Sequence, residues 1–231
     1  MNILAVDTSG ACACVAILYS GSLLYEASLN ASLTHSETLA PMIDAAFSYA
    51  RLRPADIDIF AAAAGPGSFT GIRIGIAAVQ ALAHATGKKA TGINTLEGLA
   101  ANAPGHRRVC ALIDARNRQV YASFYDTFEG LSPLSQPAAV SVDTLGTIIG
   151  YEDVSVFVGD GAVAYKTELL NMFGGKAIFP PLHVMQQRAA SIGYAAMLKV
   201  ERGELADQDG LKPLYLKKTQ AEMKYVNCGK S

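Results

Sequence analysis

Residues 64–75 read AGPGSFTGIRIG. They join two apolar runs of different length. Ahead lies IDIFAAAAG (57–65), short and apolar but for Asp58, as a strand covered on both faces would be. Behind lies a run from about Phe69 to His84 that is too long for a strand and has the small and branched apolar residues of a buried helix. A strand, a glycine-rich turn and a helix in this order are the unit of an α/β sheet. The same turn is where many proteins hold a phosphate.

The glycines do not carry a nucleotide motif. Gly65, Gly67 and Gly71 are spaced G-x-G-x-x-x-G, one place off the dinucleotide fingerprint. No Lys-Ser or Lys-Thr follows, so a P-loop is excluded. The helix start could still hold an anion, and Ser68 or Thr70 could equally cap the helix. The helix itself is apolar on nearly every face. Ile72, Ile74, Ile76, Val79 and Leu82 alternate with Gly75, Ala77, Ala78, Ala81, Ala83 and Ala85. One side packs on its own sheet, and the other needs a cover.

Working towards the N-terminus, NILAVDTS, CVAILYSG and SLLYEASLN read as three strands joined by tight turns. From Thr34 the period changes. Leu39, Met42, Ile43, Ala46, Phe47 and Ala50 make one helical stripe, which Pro41 is expected to kink or restart. Towards the C-terminus, ATGIN and TLEGLAANA read as a strand and a helix. RVCALIDARNRQVYASFYD reads as a hairpin with Asn117-Arg118 at its tip, and EGLSPLSQPAAV as a looser stretch. VSVFVGDGAVAYKTELLNMF repeats the strand, glycine loop and helix, and QQRAASIGYAAMLKVERGE reads as a helix of about five turns ending near Gly203. The expected fold class is α/β, two subdomains each with a mixed sheet flanked by helices. The boundaries are 1–106 and 107–231, with the last helices packing back on the first subdomain.

Composition restricts the function. The chain has 231 residues, 51% apolar and 17% charged, with a formal net charge of −1. That excludes disorder and argues against a protein that grips nucleic acid alone. The start, MNILAVDTSG, lacks the basic region of a signal peptide. No apolar stretch approaches the ~20 residues of a membrane span. Cys12, Cys14, Cys110 and Cys228 are too scattered for a disulfide framework and read as buried thiols of a cytoplasmic protein. One basic region stands out: residues 211–231 hold Lys212, Lys217, Lys218, Lys224 and Lys230 against Glu222.

Several stretches together resemble one family. ILAVDTS, THSETLAPMID, AAGPGSFTGIRIGIAAVQALA, GINTLEGLA, IDARNRQVY and PLYLKKTQAE are similar to the bacterial TsaB (YeaZ) family, from Ile3 to Glu222 and in order. The resemblance implies the actin/sugar kinase/Hsp70-like fold and a non-catalytic role in forming threonylcarbamoyladenosine in tRNA. It also implies a catalytic paralogue, TsaD, an ATPase, TsaE, and tRNA contact only within the complex. The paralogue holds its metal with an H-x-E-G-H motif. The matching stretch here is NTLEGLA, where Thr95 and Leu99 replace the two histidines. Neither side chain is an imidazole ligand, so no metal and no cofactor are expected.

Four sets of candidate residues follow. The partner-binding set is His35, Leu39, Met42, Ile43, Phe47, Ile72, Arg73, Ile76, Val79 and Ala83, on the two apolar helices. It would face the paralogue, or a second copy of this chain when alone. His35 could instead make a hydrogen bond at its helix start. Asp7, Thr8 and Ser9 could meet phosphate or metal-bound nucleotide, or cap their turn. In the first case Asp114 and VGDGA would complete a small-molecule kinase or ATPase site, the alternative function. Otherwise Asp114 is expected to pair with Arg116 across the domain junction. Lys217 and Lys218 could contact RNA. A metalloprotease fails for want of ligands.

Overall fold

The computed structural model describes residues 1–30, 34–149, 154–204 and 211–216. The first sheet is built from β1 (Asn2–Asp7), β2 (Ala13–Tyr19), β3 (Ser22–Leu29), β4 (Ile59–Gly65) and β5 (Lys89–Asn94), in the order β3-β2-β1-β4-β5. β1 pairs antiparallel with β2 and parallel with β4. β1 and β2 are buried on both faces, which is why they lack polar alternation.

Helix α1 (His35–Ala50) runs unbroken through Pro41. Its start is fixed by Glu37, whose carboxylate accepts from both the N–H and the hydroxyl of Thr34, at 2.9 and 2.6 Å. Helix α2 (Phe69–Thr86) starts at Ser68, whose Oγ accepts from the Gly71 N–H. It ends at Gly87, which takes the left-handed conformation, φ 67°, that stops a helix. Helix α3 (Thr95–Ala100) is shorter than its apolar pattern. Asn94 Oδ1 caps it by accepting from Leu96 N–H at 2.9 Å.

The second sheet repeats the first. β6 (Val109–Asp114) and β7 (Gln119–Asp126) form the expected hairpin, with Arg116, Asn117 and Arg118 all at positive φ in the turn. β8 (Ser132–Pro133) and β9 (Ala138–Ser141) extend β7. β10 (Ser155–Val158) pairs parallel with β6, and β11 (Ala177–Ile178) with β10. The path β11-β10-β6-β7-β8 therefore matches β5-β4-β1-β2-β3 strand for strand. The short helices α4 (Leu145–Ile149), α5 (Asp160–Ala164) and α6 (Lys166–Phe173) flank it.

The last helix, α7 (Ala189–Glu201), returns to the first sheet and packs on β1 and β2. It begins three residues later than the sequence pattern, because Gln186 and Gln187 are used in other contacts. Gln186 Oε1 accepts from the Cys12 thiol, and the Gln187 carbonyl from Cys14. Arg188 pairs with Glu26 of β3. Two apolar cores result. One lies between the first sheet and α1 with α2. The other joins the opposite face of that sheet to α3, α7 and the second sheet. Cys12, Cys14 and Cys110 are buried free thiols; Cys228 lies outside the described residues.

Candidate functional site

The glycine loop packs on the turn between β1 and β2. Thr8 Oγ1 donates to the Gly71 carbonyl at 2.7 Å, and Ser68 N–H to the Ser9 carbonyl at 2.7 Å. A methyl on Gly67 would overlap the Ser9 carbonyl oxygen, and one on Gly71 the Thr8 carbonyl oxygen. At Gly75 it would meet the Thr8 hydroxyl. Gly67, Gly71 and Gly75 thus form an i, i+4, i+8 row that seats the turn. Their absent side chains make room for backbone from the same chain.

Asp7 sits beneath this contact at 1% exposure. Ser9 turns both of its donors inward: its N–H and its hydroxyl reach Asp7 Oδ1 at 2.8 and 2.6 Å. Burial outweighs these bonds and pushes the Asp7 carboxyl up to about 6. His35 Nε2–H donates to the Gly10 carbonyl at 2.9 Å, so the start of α1 is tied to the same turn. Asp7, Thr8, Ser9 and His35 therefore lie in one cluster. Asp114 stands in the second sheet, where its N–H donates to Asp160 Oδ1 at 3.1 Å. Arg116 pairs with Asp114 within their own hairpin, not across a domain junction: the Arg116 N–H reaches Asp114 Oδ1 at 2.9 Å.

Between α1 and α2 runs a groove of about 590 Å³. Leu39, Ile43 and Phe47 line it from α1, and Ile74, Ala77, Ala78 and Leu82 from α2. His35, Ser36 and Asp44 give it a polar edge. Of the ten partner-binding candidates, all but Arg73 lie in this groove, in the core or beside them. Ile72, Val79 and Ala83 are fully buried against the sheet, and Ile76 nearly so. Leu39, Ile43 and Phe47 belong to the core on one side and the groove on the other, while Met42 is half-buried beside them. Ile74, Ala77, Ala78 and Leu82, of the same helix but outside that set, form the open wall. The signal was present in the glycines: the side of α2 that carries Gly71 and Gly75 must be the one that approaches β1.

Arg73 is exposed and lies over the Phe69 ring, 3.8 Å from its centroid. Its Nε–H donates to the Tyr215 hydroxyl at 2.9 Å, and Tyr215 stacks on Phe69. Leu214 N–H donates to the Ala64 carbonyl at 2.7 Å, so the segment 211–216 is strapped across the end of β4. Lys217 and Lys218 follow immediately and lie outside the described residues.

The stretch matched to the metal motif is core. Thr95 is fully buried and Leu99 is 1% exposed. The Thr95 hydroxyl has no hydrogen-bond partner among the described residues. Within those residues no three His, Cys, Asp or Glu side chains gather as a metal site. Nor is any helix among them long and apolar enough to cross a membrane.

Two mixed sheets of identical strand order, each a hairpin continued by parallel strands and flanked by helices, define a protein of the actin, sugar kinase and Hsp70-like fold. The family model described as TsaD, tRNA N6-adenosine threonylcarbamoyltransferase, matches residues 29–225. The chain is 28% identical over 233 residues to the tRNA threonylcarbamoyladenosine biosynthesis protein TsaB of Bacillus subtilis, covering 100% of both. It is also 28% identical to the TsaB of Haemophilus influenzae, over 94% of each chain. Among solved structures, YeaZ from Pseudomonas aeruginosa superposes with a TM-score of 0.80 at 26% identity, covering 93% of this chain and 99% of that one. The chain belongs to this threonylcarbamoyltransferase family, in its TsaB (YeaZ) branch.

Proposed function

We propose that the chain is the non-catalytic subunit that binds and orders a TsaD-like catalytic paralogue in forming N6-threonylcarbamoyladenosine in tRNA. Its relatives are named for that biosynthesis, which supports the pathway. The observation that carries the finer reading is the apolar groove between α1 and α2. It is open, lined by small and branched side chains, and built on helices rigidly tied to the sheet. Small residues on α2 let a partner helix approach closely, and Leu82, Ile74 and Phe47 supply the area to bury. The occupant is the matching helix pair of the paralogue, or of a second copy when the chain is alone. A TsaE-like ATPase joins the assembled pair, and tRNA is touched only there. The Asp7 turn supports this reading over a kinase. Its Ser9 amide and hydroxyl are already committed to Asp7, leaving neither for a phosphate.

Ala78→Glu is the test. Ala78 is half-buried on the groove wall, so a glutamate can reach water in the free protein but not in a closed interface. We expect the melting temperature to change little, while self-association and paralogue binding are lost. Leaving an unpaired charge in the interface costs several kcal/mol, enough to dissolve a micromolar complex. Reconstituted tRNA modification should fall with it. Assembly that survives both Ala78→Glu and Leu82→Asp would remove the groove from the interface. Efficient Mg²⁺-dependent ATP hydrolysis by the isolated chain would favour the kinase instead.

A further inference from the structure

A second cavity, of about 660 Å³, opens where the ends of β4 and β5, the first turn of α3, the last turn of α7 and the loop after β7 meet. It shares no lining residue with the groove between α1 and α2. Glu97 projects into it from the third position of α3, with its side chain only 19% exposed. Among the described residues no hydrogen-bond donor reaches its carboxylate. Its sole partner there is Arg202, at 3.8 Å, too long for a hydrogen bond. Burial pushes the Glu97 carboxyl up despite Arg202 and Lys199 nearby. Its two oxygens line the cavity and are left as acceptors for donors that a ligand brings.

Most of the other charged residues in the lining carry the opposite charge. Lys199 spends one N–H on the Gly92 carbonyl, at 3.1 Å, and has two left. Arg202, which also lines the cavity, directs its Nε to Glu204 at 3.1 Å and its Nη2 towards Glu97 at 3.8 Å. Lys212 lies at the rim, exposed. Three cations against Glu97 and Glu204 leave the cavity with one net positive charge. Pro133, exposed at the mouth, adds an apolar patch, with the buried Tyr125 behind it. A ligand that answers all of this is anionic, brings its own hydroxyl donors, and fits the few hundred Å³ of a small-molecule site.

We propose that this cavity binds a small phosphate monoester with free hydroxyls. Its phosphate meets Lys199, Arg202 and Lys212, and its hydroxyls donate to Glu97. A nucleoside monophosphate and a sugar phosphate share this chemistry. Only the first has a base to lay against Pro133.

Calorimetric titration of the full chain at low salt tests this with AMP, ribose 5-phosphate and inorganic phosphate. Both organic phosphates should saturate, and inorganic phosphate should bind at least about tenfold more weakly, lacking the hydroxyls for Glu97. Tighter binding of AMP than of ribose 5-phosphate would identify a nucleotide; equal binding would identify a sugar phosphate. Lys212→Glu, at an exposed position that leaves the fold intact, should weaken both about tenfold or more. Glu97→Gln should shrink the gap between ribose 5-phosphate and inorganic phosphate. No saturation by about 10 mM of either organic phosphate, at which even a weak small-molecule site would fill, or affinities unmoved by Lys212→Glu, would overturn the proposal.

Discussion

Asp7→Asn is expected to stabilise the protein at neutral pH, and by an amount the structure sets. The Asp7 carboxyl is held at about 6 in the fold against an ordinary 3.8, with burial as the main cause. The folded chain therefore keeps this proton to higher pH than the unfolded chain does. Its stabilising contribution is complete below about pH 3.8 and is lost as pH rises through about 6. Holding the proton that much more tightly in the fold is worth about 3 kcal/mol. About 2 kcal/mol of that falls between about pH 4.5 and about pH 7.5. Asparagine keeps an oxygen for the two Ser9 donors and removes the charge that burial penalises. Urea unfolding of wild type and variant at the two pH values isolates the effect, because every other titrating group cancels in the difference. The variant should gain about 2 kcal/mol on wild type across that interval. Parallel pH profiles would refute the reasoning, since Asp7 would then titrate alike folded and unfolded.

The remaining predictions concern the loop, the metal and the tail. Gly71→Ala should cost about 3 kcal/mol in urea unfolding, because the new methyl overlaps the Thr8 carbonyl; Gly175→Ala, where a methyl meets nothing within 4 Å, should cost little. Elemental analysis of protein purified without chelator should find no stoichiometric zinc or iron, since Thr95 and Leu99 are buried in the core and offer no imidazole. One equivalent lost on changing His35 or Glu97 would contradict this. Replacing Lys217 and Lys218 with glutamate should lower tRNA modification in the assembled complex without weakening assembly, and unchanged modification would exclude the tail from RNA contact.

What could be read from the sequence depended on how local its cause was. β1, β2, β4, α1 and α2 carry their own apolar pattern over six to eighteen residues, and each appears where expected. β8 and β11 have two residues apiece and no pattern to detect; only pairing with β7 and β10 makes them strands. The glycine row was legible as a spacing but not as a contact. Its partner, Thr8, lies 63 residues from Gly71 in sequence. The groove shows the same limit from the other side. α2 is apolar around most of its circumference, so hydrophobicity alone gives no direction to it. Its orientation is set where Gly71 and Gly75 let Thr8 approach, and that contact turns Ile72, Val79 and Ala83 to the sheet and Ile74, Ala78 and Leu82 away. The loop that suggested a phosphate thus determines which face of α2 lies open in the groove. A change at Gly71 should accordingly weaken partner binding in proportion to the stability it removes, whereas Ala78→Glu should weaken binding alone.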